Sequence, residues 1–320
     1  MSFLASMAAA AGLLALVPQY ALENTNIFGL AEDSRFVDYN RLRADITVKH
    51  EEYEAFAAKL IIDNAAAYIQ RPYSLTDDTF IYRGYLEYHG ETHFWVIGRQ
   101  RIPLGVGRVW NPIDIFNPID SQSVEPQERP GTEALRYEYA MSSLANLDCT
   151  VSRDKGEARI KGYLDFADVA LVGLYDNDAD QDIIGWELEG ELFATGIELR
   201  SEGGSFHDDA TGRRHTEFIA GAEYGFANSL TLLGEYRYSD ETKSDDMAVS
   251  VSFQPQILWT VSCLAVENLN DHSFFIAPSV EYSAGDEMTV SAGAFLYHGS
   301  GREAYAGYAD RVYVRWFVHF

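Results

Sequence analysis

The chain has 320 residues and carries 49 Asp and Glu against 24 Lys and Arg, a formal net charge of -25 at pH 7. That sign excludes phosphate-backbone recognition, so nucleic acid is not an expected partner. With 20 Tyr, 18 Phe and 25 Gly against 5 Met the composition favours strands, and 2 Cys cannot make a disulfide scaffold.

Residues 3–17 form the one long apolar run, rich in Ala, Leu and Gly. It is too short for a helical span and reads as the apolar part of a secretory signal, with residues 1–21 removed by a cut after Ala21. No Lys or Arg precedes it, and Gln19 stands where such a cut favours a small residue. Residues 22–320 then read as a single domain of alternating runs divided by turn signals, with no helical periodicity.

The stretch from Tyr20 to Phe28 supplies a first strand. Next, Leu42, Ala44, Ile46 and Val48 alternate with Arg41, Arg43, Asp45, Thr47 and Lys49. At period two this is an apolar face backed by a charged one. Further on, Glu87 and Arg136 occupy charged faces, and Ile184, Trp186, Leu188 and Gly190 alternate with Glu187, Glu189 and Glu191. Phe218, Ala220, Ala222 and Tyr224 oppose Glu217 and Glu223. Cys149 shares parity with Leu147 and Val151, and Cys263 with Trp259 and Val261, so two free, outward-facing thiols are expected.

The last strand puts Val312, Val314, Trp316, Val318 and Phe320 on one side and Tyr313, Arg315, Phe317 and His319 on the other. A soluble sandwich also alternates. Two features favour a membrane barrel instead. Short links at residues 226–229, 255–256 and 283–286 interleave with longer acidic ones around Asp176 to Asp182, His207 to Asp209 and Asp240 to Asp246. Aromatics such as Tyr236, Tyr238, Trp259, Tyr282 and Tyr297 recur near strand ends, as interfacial girdles do. Counting runs gives an all-β, antiparallel transmembrane barrel of about 18 strands, with 16 as the fallback, large enough to hold an aqueous channel.

One segment does not read as wall. Residues 102–132 contain Trp110, Phe116 and several Ile, and Asn-Pro-Ile-Asp occurs twice, at Asn111 to Asp114 and Asn117 to Asp120. So long and apolar a connection is expected to fold inward as a constriction loop. There Arg99, Arg101 and Arg108, with Trp110, would face Asp114 and Asp120; a brace stiffening the wall is the plainer alternative. Arg41, Arg43, Asp45, Glu87, Arg136, Glu187 and Glu189 would line the lumen.

Gly98-Arg99-Gln100-Arg101-Ile102-Pro103, then Gly105, Trp110-Asn111-Pro112 and Phe116-Asn117-Pro118-Ile119-Asp120, resemble the Gly-Arg-Gln…Asn-Pro-x-Asp signature of porin-like outer-membrane proteins of proteobacteria, and more distantly alginate-export barrels. The strand start Asp38-Tyr39-Asn40-Arg41-Leu42-Arg43 is similar too, whereas Leu104 stands where that signature carries Trp. The resemblance implies a location in the cell outer membrane, among lipid and lipopolysaccharide, with assembly machinery reading the terminal Phe320. It leaves open a homo-oligomer and a periplasmic partner.

The function expected is a porin, a passive channel for small hydrophilic solutes or ions. The alternative is a sheath around a periplasmic multihaem cytochrome; the haem would belong to the partner, because this chain has no Cys-x-x-Cys-His. Neither cofactor nor metal is expected. Catalysis is not expected either, since the 8 His form no Ser-His-acid set and no His-Glu-x-x-His site.

Overall fold

A computed structural model describes residues 14–30, 35–50, 55–70 and 73–320. The described chain forms eighteen strands: β1 (Leu14–Gly29), β2 (Phe36–His50), β3 (Phe56–Ile69), β4 (Ser74–His89), β5 (His93–Gln100), β6 (Thr132–Ser142), β7 (Ala145–Ser152), β8 (Lys155–Leu164) and β9 (Ala167–Asp176), then β10 (Gln181–Glu191), β11 (Ile197–Asp208), β12 (Arg214–Gly225), β13 (Leu230–Ser239), β14 (Ser244–Gln256), β15 (Trp259–Asn268), β16 (Phe274–Gly285), β17 (Met288–His298) and β18 (Arg311–His319). Each pairs antiparallel with its neighbours in sequence, and β1 also pairs with β18, so the sheet closes on itself. Tyr20 and Phe320 complete the seam by exchanging both backbone hydrogen bonds at 2.9 Å. The expected barrel and its preferred strand count are both observed.

Polarity is inverted relative to a water-soluble core. Leu42, Ile97 and Ile184 are 46%, 56% and 77% exposed on the outer wall, whereas Glu202 and Glu235 are fully buried inside. Alternation alone produces this, because a period of two sends successive side chains to opposite faces of one wall. Cys149 and Cys263 are free thiols.

Links at the end where β1 begins and β18 ends are short, among them residues 143–144, 165–166, 257–258 and 286–287; the opposite end has 209–213, 269–273, 299–310 and the segment 101–131. Pro255 and Gln256, read from the sequence as a link, instead end β14, and the turn falls on Ile257 and Leu258. Residues 1–13 lie outside the described residues. Residues 14–21, which the sequence placed in the export segment, form the first half of β1, with Leu14 opposite His50 and Ala21 opposite Arg43. Without them that half of β2 would present an open edge.

Two apolar clusters sit inside the barrel, and both involve the long segment. Ile102, Leu104, Ile113 and Phe116 pack on Ala170, Val172, Leu174, Ile183 and Phe206 of the wall, while Val109 packs on Ala248, Val266, Phe275, Phe295 and Tyr313. This explains why β9 is apolar on both faces: its outward Leu171 is exposed, and its inward Val172 is covered by the segment.

Candidate functional site

Residues 101–131 leave β5 and fold into the lumen, as expected. A segment of this length reaches about 100 Å when extended. Its successive contacts travel round the inner wall. Leu104 to Val109 lie against β9 to β18, Gln122 meets β17 and β18, Glu125 meets β18 and β2, and Glu128 and Arg129 return to β2 and β4.

Three wall carboxylates hold the first arc by its backbone. Glu187 on β10 accepts Gly105 N–H at 2.8 Å, and Glu202 on β11 accepts Val106 N–H and, at 2.8 Å, Gly107 N–H. Glu235 on β13 accepts the N–H groups of Arg108, Val109 and Trp110 at 2.9, 3.0 and 2.9 Å. Six consecutive amides thus meet buried carboxylates, which satisfies every one of those donors. Gly105 (φ 83°) and Gly107 permit this wrapping: a Cβ at Gly105 would lie 2.6 Å from Glu202 Oε2, and one at Gly107 only 1.7 Å from the Trp110 carbonyl oxygen.

The repeated Asn-Pro-Ile-Asp folds the segment on itself. Asn111 donates to Asp114 at 2.9 Å and accepts Ile119 N–H at 2.7 Å; Asn117 accepts Ile102 N–H at 2.9 Å and donates to the Pro130 carbonyl at 2.6 Å. Asp114 accepts Phe116 N–H and Asn117 N–H at 3.1 and 2.7 Å and faces Arg129 at 3.2 Å. Burial pushes its carboxyl up to about 6 against those hydrogen bonds and the Arg129 charge.

The second arc is held by charge. Glu125 contacts Arg41 at 3.3 Å and also Arg315, which reaches Glu23 at 2.8 Å. Burial, then the Glu23 carboxylate beside it, push Glu125 up to about 7 despite the two arginines. Glu128 behaves oppositely. Burial works against its charge, but Arg43, hydrogen-bonded at 3.1 Å, and the nearby Tyr82 hydroxyl hold it down at about 2. Tyr82 donates to the Arg129 carbonyl at 2.6 Å, and Tyr297 to the Gln122 side chain at 3.0 Å.

Two lumenal voids flank the segment. One of about 310 Å³ is bordered by Arg101, Arg108, Arg129, Arg159 and Lys161 with Glu187 and Glu189; the other, about 480 Å³, is bordered by Glu23, Tyr39, Asp120, Glu125, Tyr308 and Arg311. A larger concavity, about 1020 Å³, lies elsewhere, on the outer wall among Leu60, Leu86, Ile97 and Leu135.

The residues expected at the constriction therefore divide. Arg101 and Arg108 border the first void, with Arg108 3.3 Å from Glu189, and Asp120 borders the second. Trp110 is half-buried against the Val109 cluster and so braces rather than narrows. Two assignments are corrected. Arg99 shares the parity of the exposed Trp95 and Ile97, so it faces outward and pairs with Glu133 at 2.7 Å. Asp114 points into the fold of the loop itself, because its carboxylate is consumed by backbone amides and Arg129.

Arg41, Arg43, Asp45, Glu87, Arg136, Glu187 and Glu189 all lie on the inward parity. Arg43 pairs with Asp63 at 2.8 Å, Asp45 with Lys59 at 2.8 Å and Arg136 with Glu138 at 3.1 Å, while Glu87 lies 3.6 Å from His89. The sequence reading missed Glu202 and Glu235, although parity places both inward beside Arg200 and Arg237. It read Glu217 on a charged face but did not bring it together with His215 and Glu241, whose ligand-type atoms lie within 4.8 Å of one another; Glu241 is exposed, and the Ser239 hydroxyl already donates to Glu217.

No protein-family model matches this sequence, and no curated protein matches it. Solved structures do. OccK5 (OpdH) of Pseudomonas aeruginosa superposes with a TM-score of 0.64 at 10% identity, covering 95% of this chain and 97% of that one. A mutant porin of Rh. blastica gives 0.55 at 9% identity over 96% and 100%, and Salmonella typhi OmpF in complex with daunomycin gives 0.55 at 13% over 95% and 97%. The fold is that of the porin barrels.

Proposed function

We propose that this protein is an outer-membrane channel through which small hydrophilic solutes or ions diffuse passively. The observation that carries the proposal is a closed barrel with an apolar outer wall, a charged inner wall and a segment of the chain pinned round the lumen. An eighteen-stranded wall is wide enough for an aqueous channel after its own side chains are placed. In a water-filled lumen the exposed Arg101 and the half-exposed Arg108 act on solutes passing the first void, and Asp120 acts on those passing the second. The two voids carry opposite emphasis, so the channel suits small polar solutes of either sign. Catalysis plays no part in this reading.

The cytochrome sheath draws no support from the lumen, where the inner wall is engaged by the chain's own residues 101–131. Conductance of the refolded chain in a planar bilayer under a salt gradient tests the channel. Steady openings whose reversal potential moves when Arg101 and Arg108 are changed to Ala are expected; a barrel that inserts and stays silent overturns the proposal.

A further inference from the structure

One set of metal-ligating side chains lies apart from the pinned segment, at the end of the barrel that carries the longer links. His215 and Glu217 stand at the start of β12 and share the inward parity of the fully buried Ile219. Glu241 belongs to the link between β13 and β14. Register brings that link over the strand. Glu217 lies opposite Ser239, and Asp240 N–H donates to the Thr216 carbonyl at 3.0 Å. One ligand-type atom from each of the three lies within 4.8 Å of the other two. No motif announces the set, because a strand and a distant link meet only through register.

Two of the three are held in place. His215 pairs with Phe206 of β11, and their rings stack 4.9 Å apart with planes 9° from parallel, which fixes the imidazole. Ser239, fully buried, donates to Glu217 and orients its carboxylate, which keeps lone pairs for a further partner. Glu241 is the loose member, its side chain 58% exposed against 12% for His215. The spacing separates an ion site from an ordinary ion pair. His215 Nε2 and Glu241 Oε2 are 3.6 Å apart. A charge-assisted N–H···O bond would close to about 2.7–2.9 Å. Two ligands bound at roughly 2.1 Å to one tetrahedral ion stand about 3.4 Å apart instead. Arg237 opposes a cation here, with its guanidinium 4.0 Å from Glu217 Oε2, so an ion must share that carboxylate.

We propose that His215, Glu217 and Glu241 bind a divalent transition-metal cation at the mouth of the lumen. One imidazole with two carboxylates suits Zn²⁺, Co²⁺ or Ni²⁺, whereas Ca²⁺ and Mg²⁺ favour sites made of oxygen alone. Closing the set falls to Glu241, the exposed ligand on a link. Three protein ligands leave a coordination position open to water, so the ion exchanges with solution rather than building the fold. Its binding ties the link between β13 and β14 to β12 and cancels two carboxylate charges where the lumen opens. The site depends on these residues and not on whether the barrel conducts.

The test titrates the full chain, carrying no histidine tag, in mild detergent with Co²⁺, whose visible absorption reports its coordination, and then adds Zn²⁺. One Co²⁺ per chain is expected, displaced by Zn²⁺ and retained in a large excess of Mg²⁺. Glu241→Gln and His215→Ala are each expected to weaken binding on the order of tenfold or more. Asp178→Asn, in another acidic link at the same end, leaves it unchanged. Glu241 is exposed on a link, so its variant keeps the fold and decides the matter should His215→Ala fail to fold. Absence of stoichiometric binding overturns the proposal. So does binding that survives Glu241→Gln, that Mg²⁺ reverses, or that Asp178→Asn weakens equally. None of these measurements reads conductance, so a silent barrel that binds Co²⁺ sinks the channel alone, and a conducting barrel that does not bind it sinks the metal site alone.

Discussion

Changing Glu235 to Ala removes the acceptor of three successive amides, those of Arg108, Val109 and Trp110. Val109 is buried, so its N–H is left without a partner; Arg108 is exposed and Trp110 half-buried, so water reaches theirs. An unsatisfied buried amide costs about 1–3 kcal/mol, and each of the other two loses about 1 kcal/mol. Local docking of this arc thus weakens by about 3–5 kcal/mol, while Glu202 and the Asn111, Asp114 and Asn117 knot still hold the rest of the loop in the lumen. The assay is amide hydrogen exchange on the refolded barrel. Protection of residues 108–110 is expected to fall by a factor of roughly 10² to 10⁴, with residues 114–119 unchanged, and single channels should show added flicker as the arc moves. Glu235→Gln, which keeps one acceptor oxygen, is expected to lie between. Unchanged exchange at Val109 in the Ala variant refutes the claim that the carboxylate pins the arc.

The corrected position of Arg99 gives a second test. Replacing Arg101 and Arg108 with Ala should shift ionic selectivity towards cations, whereas Arg99→Ala, on the outer wall, should leave the reversal potential where it was; a shift with Arg99→Ala returns it to the lumen. Loop docking should also depend on pH. Asp114 and Glu125 are raised to about 6 and about 7 from 3.8 and 4.5, so their contributions are complete below the lower values and are lost as pH rises through the higher ones. Glu128, lowered from 4.5 to about 2, contributes above 4.5 and loses its contribution as pH falls through about 2. Protection of residues 114–128, corrected for intrinsic exchange, is therefore expected to be greatest between about pH 4 and 5 and weaker at pH 8; a steady rise from 5 to 8 contradicts this. Intact mass of the protein from outer membranes should show that the mature chain retains residues 14–21, which give Arg43 to His50 their partner strand. A chain beginning at Leu22 that still forms a heat-stable barrel argues against that pairing.

The sequence by itself determined the wall. Arg41 and Arg43 alternating with Leu42 and Ala44, and Val314 and Trp316 alternating with Arg315, require a sheet with one apolar and one charged face, because side-chain direction in a strand follows from local backbone geometry alone. Turn spacing then gave the number of strands, and the length and apolar content of residues 102–132 showed that this stretch was not wall. What a side chain inside the loop does is a different kind of question. Arg99 and Asp114 look alike as charged members of one motif, yet Arg99 is the last outward residue before the chain turns in, and Asp114 is spent on the amides of its own turn. Glu202 and Glu235 carry no motif at all. Their role exists because strands distant in sequence bring them under the amides of residues 106–110, a meeting that only the closed tertiary structure decides.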